Sequence, residues 1–111
     1  MRITKDNINK FIEGTRMNCP DMGITHIEYI PDGITRLFCY NNKLTELPKL
    51  PDGLKYLYCH NNKLTELPKL PESLTGLFCV DNNLPYKVTL NNLKQHNKLT
   101  KRKQILSKIC G

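Results

Sequence analysis

The stretch NNKLTELPKLP occupies residues 41–51 and recurs, identical at every position, at residues 61–71. The register extends beyond these copies, because residues 34–53 align without a gap to residues 54–73. Self-similarity at a fixed period is the sequence signature of a repeat architecture, in which each unit needs its neighbour to bury its apolar face. The sequence therefore predicts stacked coils of one repeat each. Four are expected, the first and last degenerate, at residues 14–33, 34–53, 54–73 and 74–93.

Two columns of apolar residues run through the aligned coils. They are Met17, Leu37, Leu57 and Leu77, and then Cys19, Cys39, Cys59 and Cys79. Around them apolar and polar residues alternate with period two, which predicts a short strand in each coil. The prolines of the LPKLP segments exclude a helix interior or a central strand and favour an extended, polyproline-like return. Stacking then gives a continuous core that one coil could not form alone.

The spacing Leu-x-x-Leu-x-Cys-x-x-Asn-x-Leu resembles that of leucine-rich repeats. The continuation LTELPKLP is similar to the short repeats of bacterial IpaH/YopM-type proteins, and the LFC…NN and LYC…NN strings resemble the repeats of giant-virus (mimivirus-type) proteins of this family. The resemblance covers about residues 17–86 and weakens at Met22 and after Pro85. It implies a leucine-rich-repeat solenoid with a short parallel β-sheet on the concave side and an extended convex side.

Helical caps are expected at both ends, because the terminal coils of a solenoid need shielding. At the N-terminus, residues 1–13 form the predicted cap, with a helix from the N-cap Thr4 to the stop at Gly14 and one face of Ile8, Phe11 and Ile12. At the C-terminus, residues 94–111 form a basic helical cap within a helical stretch from residue 89, in one piece or in two that break near residues 97–100. Its apolar stripes are Leu90 with Leu93, and Leu106, Ile109 and Cys110.

The net charge of +7 lies entirely in residues 85–111, which contain no acidic residue. Apart from Lys87, the basic tail consists of Lys94, Lys98, Lys101, Arg102, Lys103 and Lys108. Such a helix either presents a solvated outer face or attracts nucleic acid or an anionic membrane. Tyr86 is the one aromatic residue of this segment, so stacking on bases has little support.

The cysteine column indicates buried, reduced thiols. Four cysteines that recur with the repeat lie in line on adjacent strands about 4.8 Å apart, which suits neither a tetrahedral zinc site nor disulfide geometry. Together with the absence of a signal or membrane segment, this favours a cytoplasmic protein, in the host cytoplasm if the protein is viral.

No catalytic constellation is recognisable, so we expect neither an enzyme nor a cofactor. His26, His60 and His96 are scattered over different coils and the tail. Cys59 and His60 are adjacent, but neighbouring strand residues point to opposite faces. A phosphate-cradling glycine loop and paired metal ligands are absent from the sequence.

The remaining candidate site is the concave face of the predicted sheet, where three columns are rich in aromatic residues. Its candidate partner-binding residues are Arg36, Phe38, Tyr40, Tyr56, Tyr58, His60, Phe78 and Val80. An exposed aromatic patch marks a binding surface, yet cross-strand aromatic pairs also stabilise a sheet by roughly 0.2–1 kcal/mol each, and the two interpretations are compatible. The asparagines Asn42, Asn62 and Asn82 are expected to bond backbone groups in the turns, next to exposed turn residues Asn41, Asn61 and Asp81.

The sequence thus predicts a non-enzymatic module that binds an unknown protein, a host protein if the viral resemblance holds, through its concave face. Two alternatives remain. One is an electrostatic adaptor whose basic C-terminal helix binds nucleic acid or an anionic membrane, and the other is a structural, self-associating protein.

Overall fold

The computed structural model describes the backbone of residues 1–110 and the side chains of residues 1–102. Its helices and strands are short except for one C-terminal helix. They are, in chain order, β1 (Arg2–Ile3), a 3-10 helix (Ile8–Phe11), β2 (Ile12–Glu13), β3 (Arg16–Asn18), β4 (His26–Ile27), β5 (Arg36–Phe38), β6 (Tyr56–Tyr58), β7 (Gly76–Phe78), a second 3-10 helix (Leu90–Asn92) and α1 (Leu93–Cys110).

The main sheet has five strands in the order β2-β3-β5-β6-β7. Strands β3, β5, β6 and β7 run parallel, and the predicted leucine column forms their register, with Met17 opposite Leu37, Leu37 opposite Leu57 and Leu57 opposite Leu77. The parallel sheet that the resemblance implied is therefore confirmed, and so is the short strand predicted for each coil, including that of the degenerate first coil.

The core lies between this sheet and the extended return segments. Met17, Leu37 and Leu57 are fully buried, and so are the thiol-bearing side chains of Cys19, Cys39 and Cys59. On the return side, the leucines of the repeated LPKLP segments are also buried. Each of the three-residue strands β5 and β6 thus contributes a central inward residue between two outward ones. These outward residues form the face that the resemblance predicts to be concave, and it is called the concave face below.

A tight turn follows each strand of the repeat. Its first residue has a left-handed backbone, with φ of 56° at Asp21, 56° at Asn41, 54° at Asn61 and 57° at Asp81. Asparagine and aspartate are the side chains that adopt this conformation most readily after glycine. The pattern explains why Asn or Asp recurs at these exposed positions, a backbone requirement that the sequence analysis did not anticipate.

The next residue of each turn joins two coils. The Asn42 side chain accepts the N–H of Ile24 at 3.0 Å and donates to the carbonyls of Cys19 and Cys39 at 2.9 and 3.0 Å. Asn62 repeats this arrangement one coil further, with Leu44, Cys39 and Cys59. These buried amides satisfy backbone groups that the turn removes from the sheet ladder.

The N-terminal helix predicted over residues 4–14 is not formed as an α-helix. Only the 3-10 helix Ile8–Phe11 is present, preceded by Asn7 instead of Thr4. Ile12 leaves the helix because β2 pairs antiparallel with β3, and Gly14, with a φ of 62°, belongs to the turn of this hairpin. Strand pairing at the sheet edge here overrides local helix propensity.

The C-terminal helix is α1, and it is continuous. The break near residues 97–100 does not occur, because the Asn97 amide is engaged by Leu70 and does not compete for its own backbone. Leu90 is 42% exposed while Leu93 is buried, so the predicted stripe of these two residues is wrong. The stripe of Leu106, Ile109 and Cys110 lies outside the described side chains.

Helix α1 docks on the extended return of the third coil. Asn97 accepts the N–H of Leu70 at 2.7 Å and donates to its carbonyl at 2.8 Å, as a neighbouring backbone would. The His96 ring is 3% exposed and contacts the Pro68 carbonyl with Nε2 at 2.9 Å and the Tyr86 hydroxyl with Nδ1 at 2.7 Å. The carbonyl can only accept, so Nε2 carries a proton and donates it to Pro68.

Candidate functional site

The concave face carries its side chains in three columns: two from the outward positions of the strands and one from the second residue after each strand. The first column contains Arg16, Arg36, Tyr56 and Gly76, the second contains Asn18, Phe38, Tyr58 and Phe78, and the third contains Pro20, Tyr40, His60 and Val80. All eight candidate binding residues therefore share one face.

The second column is a ladder of rings. The centroids of Phe38 and Tyr58 lie 5.0 Å apart with tilted planes, and those of Tyr58 and Phe78 lie 4.8 Å apart edge to face. Both geometries are favourable for aromatic pairs. Phe38 and Tyr58 are half-buried by this packing, whereas Phe78 has no ring beyond it and is 52% exposed.

The third column contains a second stack. The rings of Tyr40 and His60 are nearly parallel, with an interplanar angle of 7° and centroids 4.7 Å apart. The edge of Phe78 approaches His60 from the neighbouring column at 6.2 Å. The buried Nδ1 atom of His60 has no hydrogen-bond partner among the described residues. Val80 ends this column and is 58% exposed, so the two most exposed apolar side chains of the face lie next to each other.

The first column is cationic. The Arg36 guanidinium lies over the Tyr56 ring, 5.3 Å from its centroid, and Arg16 reaches the Glu13 carboxylate at 3.6 Å. Beside them, Lys55 helps to line a shallow groove of about 410 Å³. The face is thus basic at the β3 and β5 end of its first column and aromatic along its second and third columns.

The thiols beneath this face are chemically quiet. Cys19, Cys39, Cys59 and Cys79 are free and buried. Burial raises the pKa of Cys19 from 9.0 to about 12 and raises that of Cys39 well above 9.0. A thiol held protonated in this way is neither a nucleophile nor a metal ligand. Within residues 1–102, no group of three or more His, Cys, Asp or Glu residues is placed to hold a metal ion.

A second surface is formed by the basic side chains of α1. Lys94, Lys98, Lys101 and Arg102 are all exposed, and their spacing of four, seven and eight residues from Lys94 places them along one side of the helix. Lys103 and Lys108 lie outside the described side chains. This stripe is separate from the concave face, because α1 packs on the return of the third coil.

Sequence reasoning missed the role of His96 and Asn97, which hold α1 in place. Both side chains bond to backbone groups more than two dozen residues away. The one available signal was their position on the predicted helix. His96 and Asn97 follow Leu93 by three and four residues, so they lie on its apolar side, where a polar side chain needs a hydrogen-bond partner.

The comparison with known families agrees with this geometry. Residues 33–72 match the family model described as "Leucine Rich repeats (2 copies)", which supports a leucine-rich-repeat protein. Among curated proteins, none matches the sequence. No helix in the described part of the chain is long and apolar enough to cross a membrane.

Proposed function

We propose that the protein is a non-enzymatic binding module that holds a partner protein on its concave face. Leucine-rich repeats generally mediate protein–protein interactions, and the matched residues 33–72 include β5 and β6. The partner-binding residues in this proposal are Arg36, Phe38, Tyr40, Tyr56, Tyr58, His60, Phe78 and Val80.

The observation that carries the proposal is the pair of Phe78 and Val80, exposed by 52% and 58% at the end of the aromatic ladder. A role in the sheet alone explains the contacts of Phe78 with Tyr58 and His60, but it explains neither Val80 nor the outer side of Phe78, on which no further ring packs. Exposed apolar side chains in a contiguous patch are typical of a binding surface.

The test compares two double variants as baits in quantitative capture from nuclease-treated cytosolic lysate. Phe78→Ser with Val80→Ser removes this exposed apolar pair without opening the core. Met22→Ser with Leu99→Ser is the matched control, because these side chains are exposed to a similar degree, 45% and 42%, and lie off the face. A protein that is retained by the wild type and the control but lost by the first variant supports the proposal. Equal capture by all three baits contradicts it.

The exposed basic stripe of α1 favours a second candidate function, the electrostatic adaptor. Here Lys94, Lys98, Lys101 and Arg102 contact phosphates of nucleic acid or of anionic lipid. For duplex DNA the logarithm of the affinity should fall with the logarithm of salt concentration with a slope of about −0.9 for each phosphate contact, whereas capture by the concave face should depend only weakly on salt. Fluorescence anisotropy with labelled DNA and flotation with phosphatidylserine vesicles separate the two anions.

The similarity to giant-virus and IpaH/YopM-type repeats extends the first proposal. If the protein shares their setting, its partner is a host protein and its place is the host cytoplasm. Identification of a host protein in the capture experiment supports this extension.

A further inference from the structure

Each end of the stack of coils has two backbone edges that a further coil would pair. One runs along the sheet and the other along the return segment, so there are four such edges in all. At the N-terminal end, β2 pairs with β3 and covers the edge of the concave sheet, while β1 pairs with β4 on the opposite side of the same coil. At the C-terminal end, the Asn97 amide of α1 occupies the N–H and carbonyl of Leu70 in the return segment. Three of the four edges are therefore covered by the chain itself.

The fourth edge is that of β7, and it is open. β7 is the last strand of the sheet, and no segment in the described part of the chain pairs with its outer side. In the previous coil the N–H groups of Cys59 and Asn61 donate to the carbonyls of Phe78 and Val80 at 2.8 and 3.0 Å. The equivalent N–H groups of Cys79 and Asp81 face outward and have no acceptor among the described residues.

A groove of about 580 Å³ runs along this edge. One wall is the edge itself, from Leu77 to Asn82, and the other is the segment 86–91 that crosses the end of the core. The Val88 carbonyl accepts the Cys79 thiol at 3.3 Å, so this second wall is fixed to the last coil. The groove thus combines unpaired backbone donors with apolar side chains at the spacing that an extended chain requires.

The charge of the segment that follows β7 favours one kind of chain over another. Residues 85–102 carry five basic side chains and no acidic one: Lys87, Lys94, Lys98, Lys101 and Arg102. Of these, Lys87 lines the groove, where Asp81 is the one acidic side chain among the described lining residues, and the other four lie beyond it on α1. A second copy of this protein would bring an equally basic segment to the edge, whereas a segment with carboxylates would be attracted.

We propose that the open edge of β7 is a second docking site, which takes an extended segment of a partner protein with alternating apolar residues flanked by acidic ones. The segment adds as a sixth strand of the sheet. It accepts hydrogen bonds from the N–H groups of Cys79 and Asp81, places every second side chain in the groove, and directs its carboxylates toward Lys87 and the start of α1. This site shares Val80 with the concave face, but it pairs through the backbone N–H groups of Cys79 and Asp81 and does not depend on the function proposed for that face.

The experiment uses the full chain and a short fluorescein-labelled peptide in which valine and threonine alternate and aspartates occupy both ends. Binding is followed by anisotropy, and the amides are followed by nuclear magnetic resonance. We expect the Cys79 and Asp81 amides to shift and to become protected from hydrogen exchange on binding. A peptide N-methylated at every residue is blocked on both edges and cannot pair as a strand, so its affinity should fall by about tenfold or more.

Two protein variants test whether the positive charge of Lys87 contributes to binding of the aspartate peptide. Lys87→Glu should weaken binding by about threefold or more, while Lys49→Glu makes the same charge change on the return side and should leave it within about a factor of two. Both variants are first checked for an unchanged melting temperature, as both side chains are exposed.

Several outcomes would overturn the proposal: no binding of the aspartate peptide, equal binding of the N-methylated peptide, or amide shifts confined to Phe38 and Tyr58. Dimerisation of the free protein through β7, seen in sedimentation and in protection of the same amides, would overturn the choice of partner in favour of a second copy.

Discussion

The side chain of Asn62 links two neighbouring coils through both ends of its amide. Its Nδ2 group donates to the carbonyls of Cys39 and Cys59, and its Oδ1 atom accepts the N–H of Leu44. All of these backbone groups lie in the interior, where an unpaired polar group costs about 1–3 kcal/mol. The residue is therefore a structural part of the repeat, and its energetic weight can be measured directly.

Replacing this residue by Asn62→Ala should lower the free energy of unfolding by about 3 kcal/mol or more, because several buried backbone groups lose their partner together. Urea unfolding followed by circular dichroism measures the change. Asn83→Ala is the matched control, since the Asn83 side chain is exposed and only its backbone N–H is bonded, to Leu64. A loss of similar size in both variants would contradict the assigned role of Asn62.

The buried thiols make stability depend on alkaline pH. Burial raises the pKa of Cys19 from 9.0 to about 12. Below pH 9.0 this thiol is protonated in both states, whereas between pH 9.0 and about 12 only the unfolded chain releases the proton. Stability should therefore be lost as pH rises through this window, by about 1.4 kcal/mol per pH unit for this thiol.

The variant Cys19→Ala isolates this contribution. Alanine cannot ionise, so urea unfolding across the same pH range should give a shallower decline for the variant than for the wild type, by about the slope of one thiol. The packing loss caused by the smaller side chain lowers both ends of the curve equally and does not alter the slope. Parallel curves for the two proteins would show that Cys19 does not remain protonated in the fold.

The strand β7 contains a glycine because of the ring next to it. A Cβ atom at Gly76 would lie 2.6 Å from Cδ1 and 3.2 Å from Cε1 of Tyr56. The variant Gly76→Ala should therefore displace this ring from beneath Arg36 and cost about 1–2 kcal/mol. Gly53→Ala, where nothing lies within 4 Å, should be neutral or stabilising by up to about 1 kcal/mol.

A double-mutant cycle identifies the cause of that loss. In a Tyr56→Ala background the obstructing ring is gone, so Gly76→Ala should cost little or nothing there. Thermal and urea unfolding of the four proteins give the coupling energy between the two positions. An equal cost in both backgrounds would mean that the backbone of β7, and not the Tyr56 ring, requires glycine.

The accuracy of sequence-based prediction differed between the strands and the ends for a physical reason. In β5, β6 and β7 the same residue types return at one fixed spacing, so one pattern determines strand, register and inward face together. Residues 8–14 have no such repetition, and their helical pattern loses to an edge pairing with β3 that local sequence does not reveal. The docking of α1 was equally hidden, since the bonds of Asn97 lead to Leu70 in another coil.

The arrangement of the candidate site could be predicted from the repeat, but the exposure of its side chains could not. The repeat alignment and the alternation within β5, β6 and β7 were enough to place Phe38, Tyr58 and Phe78 in one line, and the ring distances of 5.0 and 4.8 Å follow from the strand spacing. The unequal exposure along that line could not be read from sequence, because it depends on where the stack of coils ends. Because the stack ends with the fourth coil, the outer edge of β7 also has no pairing strand in the described part of the chain.

At the scale of the whole molecule, the two central coils are interchangeable. The segments 41–51 and 61–71 are identical, so α1 would meet the same Pro and Leu carbonyls on the second coil, at Pro48 and Leu50, that it contacts on the third, at Pro68 and Leu70. The chain joins its coils through nearest neighbours, as repeat proteins do. Removing one complete coil should therefore shorten the fold without changing either end.

A deletion of residues 54–73 tests this directly. It joins Gly53 to Leu74 in register, so β5 pairs with β7 and the helical signal of α1 in circular dichroism should persist, with a lower melting temperature because one coil interface is lost. Deletion of residues 54–66 removes fewer residues but shifts every later column out of register, and this protein should not fold cooperatively. If both deletions unfold, the coils depend on contacts beyond their neighbours. If both fold, the columns of Leu37 and Cys39 do not set the register, since a core that tolerates either alignment would not distinguish inward from outward positions.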